Sequence, residues 1–219
     1  MFSLSCNGGP EPLRSVLVIG CHSDDIEIGC GGTILTLSRR VPGLDVRWVV
    51  LSAEGARSEE VRSSANAFLA SAGSASVEVH AFRDGFLPHL GGAVKEVFEA
   101  LKTTIEPQIV FTHARDDLHQ DHRLASDLTR ETFRDNLILE YEIPKVDGDI
   151  GRPNLYVPLT SSIALEKVAL LHEHHVSQAG KHWFDDETFL GLMRLRGMEA
   201  VAPERYAEAF TCRRAVFQP

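Results

Sequence analysis

Residues 16–34 read VLVIGCHSDDIEIGCGGTI, and this stretch decides the fold. Residues 16–20 form a short continuous apolar run, the pattern of a strand buried on both faces. His22, Asp24, Asp25 and Glu27 follow at once, and then Gly29, Gly31 and Gly32. A glycine-rich turn after a strand usually invites a phosphate. Here the spacing fails the G-x-G-x-x-G fingerprint, and three carboxylates would repel a pyrophosphate where they would attract a divalent cation. The glycines are read instead as letting the backbone pass close to an acidic loop and letting the following helix pack tightly on the sheet.

Outward from this stretch the hydrophobic period alternates. Residues 45–52 (DVRWVVLS), 77–82 (VEVHAF) and 108–113 (QIVFTH) have strand character; residues 31–40, 58–73, 93–105 and 122–134 carry apolar residues at helical spacing, with Gly73 expected as a helix C-cap. Strand and helix in alternation predict an α/β, Rossmann-like three-layer fold with a mostly parallel, doubly wound sheet. Past residue 135 the rhythm weakens. NLILEYEI, LYVPL and AEAFTCRRAVF suggest strands, while SSIALEKVALLHEHHVS and DDETFLGLMRLRGM suggest helices. With no low-complexity linker and no internal repeat, residues 1–219 are expected to form a single domain, a Rossmann-like core over 1–135 and a substrate-shaping part over 136–219.

Composition narrows the classes. The chain has 219 residues, 43% hydrophobic and 24% charged, with a formal net charge of -9. This argues against general affinity for nucleic-acid phosphates. No apolar run approaches the roughly 20 residues of a transmembrane helix, and the N-terminal residues lack a secretory h-region, so a cytoplasmic protein is expected. Cys6, Cys21, Cys30 and Cys212 show no CxxC pairing, which suits a reducing compartment; Cys21 and Cys30 beside the acidic motif are read as small buried residues.

In an open α/β sheet, ligands bind outside the carboxyl ends of the strands, where strand order reverses. Two polar clusters stand at such ends: HSDDIE after the first strand, and HARDDLHQDH (His113, Asp116, Asp117, His119, Asp121, His122) after the fourth. With strand order 3-2-1-4 the two clusters face each other. Imidazole nitrogens and carboxylate oxygens are the ligands of a catalytic zinc site, which uses three protein ligands and keeps one position for water. His22 and Asp25, separated by two residues in a tight turn, with His122 at the start of a helix, supply such a set. The duller alternatives are an N-capping role for Asp25 and a solvated His-x-x-His loop. Two acid-and-histidine clusters on separate loops at neighbouring strand ends favour the metal.

The residues HSDDIEIGCGGT resemble the HPDDE…GCGGT signature of the LmbE-like (PIG-L) deacetylases. HARDDLHQDH is similar to that family's second motif, ending in His-x-Asp-His, and the two stand about 90 residues apart in the family's order. The resemblance implies a divalent-metal hydrolase, usually zinc, that removes an acyl group from an N-acyl amino sugar or glycoconjugate; the nitrogen-and-oxygen ligand types also admit Fe2+, Co2+ or Mn2+. It implies His22, Asp25 and His122 as metal ligands and Asp24 as general base. His119 would stabilise the tetrahedral intermediate or protonate the leaving amine, with Asp121 orienting its ring. Ser23 stands where the family has proline, Ile26 shifts Glu27 by one position, and the family's Arg-x-x-Glu, sought at Arg62, meets Ala65 instead.

The substrate end is less marked. Arg62, Arg115 and Lys181 are candidate contacts for an anionic group, and Trp183 and Phe184 suit either a sugar face or the core. HEHH at 172–175 places only His172 and His175 on one helix face and is read as a solvated helix end. Within the same chemistry, a larger or thiol-conjugated acyl-sugar substrate is the second reading. A non-catalytic metal- or sugar-binding protein is the rival class, and a homo-oligomer is compatible with the sequence.

Overall fold

The computed structural model describes residues 12–216, so Cys6 and the N-terminal residues read for a leader lie outside the described residues. One seven-stranded sheet runs through the molecule. Its strands are β1 (Ser15–Gly20), β2 (Asp45–Val50), β3 (Ser74–Val79), β4 (Ile109–His113), β5 (Leu137–Tyr141), β6 (Leu155–Leu159) and β7 (Tyr206–Thr211), in the order β3-β2-β1-β4-β5-β7-β6. The five strands from β3 to β5 pair in parallel, and β7 joins antiparallel to both β5 and β6. The predicted doubly wound sheet is therefore the one that forms, with β1 and β4 side by side at the switch point.

The helices are α1 (Asp25–Arg40), α2 (Ala56–Phe68), α3 (Gly91–Thr104), α4 (Gln120–Thr132), α5 (Ser161–His174) and α6 (Asp186–Glu199). Alternate residues of each central strand feed two cores. Val16, Val18, Trp48 and Phe111 pack under α1, α2, α5 and α6, while Leu17, Ile19, Val49 and Val110 pack under α3 and α4. The result is helix, sheet, helix. Among the described residues no helix is long and apolar enough to cross a membrane.

Several boundaries differ from the sequence reading for identifiable reasons. Strand β3 lies three residues earlier than expected, because Gly73 and Ser74 dock their N–H groups on the Leu44 carbonyl and set the register with β2. Gly73 is not a C-cap: α2 ends at Phe68, and Gly73 is small because a Cβ there would stand 2.4 Å from the Gly43 Cα. Helix α1 starts at Asp25, six residues before the expected helical stretch, so the glycines lie inside the helix rather than in a turn. Their role is close approach. A Cβ on Gly29 would meet the Tyr141 ring at 2.2 Å, and one on Gly31 would meet Phe68 at 2.6 Å.

A buried ion pair reaches into the hydrogen-bond ladder of α1. Lys167 Nζ of α5 donates to the Ile28 carbonyl at 2.6 Å and to Glu208 Oε1 of β7 at 2.7 Å; Glu208 in turn accepts from the Gly32 N–H at 2.8 Å and the Thr33 N–H at 2.6 Å. In a regular helix the Gly32 N–H would use the Ile28 carbonyl. Here the pair serves both groups, and it fixes the helix whose first turn carries the acidic motif.

Candidate metal centre

The short turn after β1 and the N-terminal end of α4, entered from β4, bring the two polar clusters together. His22 Nδ1, His122 Nε2 and Asp25 Oδ2 form a triangle with sides of 3.2, 3.3 and 3.5 Å. All three side chains are buried. Asp25 does not cap the amides ahead of it; its Oδ2 reaches back to the His22 N–H at 2.7 Å.

The outer partners of both imidazoles fix their tautomers. His22 Nε2 faces Asp84 Oδ1 at 3.1 Å and Asp121 Oδ2 at 3.4 Å, and His122 Nδ1 faces Asp117 Oδ2 at 2.9 Å. Ionised carboxylates only accept, so these ring atoms carry the protons and the bare lone pairs of His22 Nδ1 and His122 Nε2 point at the Asp25 oxygen. Three unprotonated donors at such spacing repel one another unless a cation lies between them. A tetrahedral zinc with bonds of about 2.0–2.1 Å separates its ligands by about 3.3–3.4 Å. The donor set fits.

Other triads within 4.8 Å in the same place are His22–His119–His122, Cys21–Asp25–His113, His113–Asp117–His122 and His22–Asp84–Asp121. Burial opposes protonation of His22, but Asp25 and the hydrogen bonds the ring donates to Asp121, Asp25 and Asp84 hold its pKa well above the usual imidazole range, so a proton on Nδ1 competes with a metal for the place between His22 and Asp25 and is displaced when the metal binds. Burial likewise favours a neutral Asp25, and His122, His113 and His22 overcome it and hold the carboxyl well below the usual range. His113, fully buried and stacked on His122 at 3.8 Å, is lowered to about 4 by burial and by that neighbour.

Asp24 is buried beside the triangle, its Oδ2 has no hydrogen-bond partner, and burial and then Asp25 raise its pKa. Arg57 of α2 lies 4.0 Å from Asp24 Oδ1, held by Ser23 Oγ at 3.0 Å and Asp84 at 3.2 Å. Sequence reasoning missed this arginine. The Arg-x-x-Glu spacing sought at Arg62 occurs at Arg57 and Glu60, and the serine in the proline position provides its anchor. Arg62 donates to the Val77 carbonyl, Arg115 faces Asp127, and Lys181 stands over Trp183. Trp183 packs on the core beside the buried Phe184, and no contact brings these four into the triangle.

His119 is half-buried and caps α4. Its Nδ1 accepts the Asp121 N–H at 3.3 Å, which leaves the neutral ring's proton on Nε2. Burial, then His122 and His22, lower its pKa and keep it neutral. Asp121 was expected to orient this ring. Its carboxylate is instead engaged by the Gly85 and Leu87 N–H groups and His22, so only its backbone reaches His119.

One further expectation is corrected. His175 is not on a solvated helix end: it is completely buried, and its Nε2 meets Glu27 Oε1 at 3.1 Å, also completely buried. That pair joins positions 148 apart, so no local pattern announces it. His172 is spent on Asp186 and His174 on Ser63. Asp117 belonged to the polar cluster in sequence without a separate role; it also accepts from the His119 N–H at 2.7 Å and from Lys145 at 2.9 Å, which makes it the hub of the second loop.

The PIG-L family, described as GlcNAc-PI de-N-acetylase, matches residues 17–133. No curated protein matches the chain by sequence. Among solved structures it is similar to the N,N'-diacetylchitobiose deacetylase from Pyrococcus horikoshii, with 21% identity over 90% of this chain and 83% of that one and a TM-score of 0.67. It is likewise similar to the 4-carboxy-2-hydroxymuconate hydratase from Pseudomonas putida (20%, 94% and 99%, TM-score 0.71). The zinc-inhibited form of a teicoplanin deacetylase aligns at 13% identity over 90% and 97% of the two chains, with a TM-score of 0.71.

Proposed function

Because this chain belongs to the PIG-L family, we propose that it hydrolyses the N-acyl amide, in the first place N-acetyl, of an amino sugar or glycoconjugate. The observation that carries the reading is the convergence of His22 Nδ1, His122 Nε2 and Asp25 Oδ2 beside the unpartnered Asp24 carboxylate oxygen. His22, Asp25 and His122 would hold a divalent metal, Zn2+ or else Fe2+, Co2+ or Mn2+, which would supply an acidified water and polarise the amide carbonyl.

The chain's own groups do the rest. Asp24, raised in pKa by its burial and by Asp25, takes the proton of the attacking water at Oδ2. The Nε2–H of His119 is a preset donor for the oxygen that gains charge as the carbonyl carbon becomes tetrahedral. The proton gained by Asp24 is then available to the departing amine. Arg57 restrains Asp24 through its charge and is held in turn by Ser23 and Asp84. Asp117 and Asp121 keep the His122 and His22 rings in the required tautomers.

The test is acetate release from a panel of N-acetyl sugars, with metal content measured on the same preparations. Asp24→Ala is expected to lower turnover by about 10²–10⁴ with metal content unchanged. Full turnover in that variant rules out the role given to Asp24. Since a hydratase shares the fold, release of acetate rather than mere uptake of water is the readout that decides the reaction.

A further inference from the structure

Beyond the metal centre, on the face of β5 beside α4, lies a cavity of about 320 Å3 with four arginines in its wall, Arg130, Arg134, Arg213 and Arg214, against one carboxylate, Glu140. A second cavity of about 240 Å3 shares Glu140 and Arg213 with it and is mixed in charge, with Asp116, Asp117, Glu142 and Asp149 beside Lys145 and Arg152. In a chain of net charge -9 the four arginines of the first cavity are a conspicuous gathering of one sign.

The four guanidinium groups are unequally satisfied. Arg213 is spent on Glu140 at 2.9 and 3.0 Å and on Asp116 at 2.8 Å. Arg130 has only Asp127 at 3.8 Å. Arg134 donates Nε to the Glu131 carbonyl and meets no carboxylate, and Arg214 has neither ion pair nor side-chain hydrogen bond among the described residues. Two free guanidinium forks on one cavity offer two bidentate sites. One carboxylate cannot fill both, but a tetrahedral oxyanion with three or four acceptor oxygens can.

We propose that this arginine-lined cavity binds a phosphate-type oxyanion. The phosphate belongs either to the substrate itself or to a separate small molecule. Its position bears on the metal centre, because Glu140 also accepts the Arg115 N–H at 3.1 Å and Arg213 holds Asp116, both in the loop that carries Asp117 and His119. An anion that drew on Arg213 would act on that loop.

Calorimetric titration with inorganic phosphate at constant ionic strength tests this without any need for turnover. The wild-type protein is expected to bind about one phosphate per chain, Asp25→Ala to bind as well as wild type, and the double variant Arg134→Gln/Arg214→Gln to bind at least tenfold more weakly. Failure of the wild type to bind, wild-type affinity in the arginine variant, or loss of binding in Asp25→Ala overturns the proposal, the last by placing phosphate at the metal centre. Repeating the titration with N-acetylglucosamine 6-phosphate separates the sources. Affinity above that of phosphate and reduced in Asp25→Ala marks an anion carried by the substrate; affinity equal to that of phosphate in every variant marks a separate ligand.

Discussion

Asp24 is held between opposing influences. Burial and the neighbouring Asp25 push its pKa up, and His175 and Arg57 pull it down. If Asp24 is the base, the acid limb of the kcat/KM profile reports the loss of its proton, and each of these influences moves that limb. Replacing Arg57 by Gln removes one of the restraining charges, so the limb is expected to move to higher pH; an unmoved limb would assign it to another group. At this scale the sequence displayed the residue types and spacings of the inner triangle, because His22, Asp25 and His122 sit in two short motifs. It did not display their supports. Arg57, Asp84 and the buried Glu27–His175 pair come from other elements, and only the folded chain brings them in.

The same division appears among the elements. Apolar runs identified β1, β2 and β4, strands that are buried along most of both faces. Helix α1 was misplaced because three glycines lower local helix propensity; its packing against Tyr141 and Phe68 and the Lys167–Glu208 pair outweigh that cost. Substituting Glu208 by Ala would leave the Lys167 ammonium buried without its carboxylate and the Gly32 and Thr33 N–H groups without their acceptor. Removing one member of such a pair costs about 3–5 kcal/mol. Urea denaturation should show a loss of that size, and a loss below about 1 kcal/mol would mean that α1 restores its own ladder.

For the whole molecule, the strand alternation led to the correct sheet order through β4, and beyond residue 135 the antiparallel insertion of β7 between β5 and β6 had no local signal because it depends on pairing across the chain. The buried site also sets a pH response of the entire fold. His113 has its pKa lowered from 6.5 to about 4, so between those values the unfolded chain binds a proton that the folded chain refuses. Stability from this group is complete above pH 6.5 and is lost as pH falls towards 4, about 3 kcal/mol in all. Denaturation of the chelator-treated protein across that window should show the slope, and His113→Gln should flatten it.

The ligand triangle joins positions 22 and 122, which lie 100 residues apart. A cation held there is also a reversible cross-link, closing a loop whose freedom in the unfolded chain is worth up to about 4.7 kcal/mol by chain-entropy reckoning. Chelation should therefore lower Tm as well as abolish turnover, and zinc should restore both together. The same ion that serves the chemistry would act as a staple on the chain.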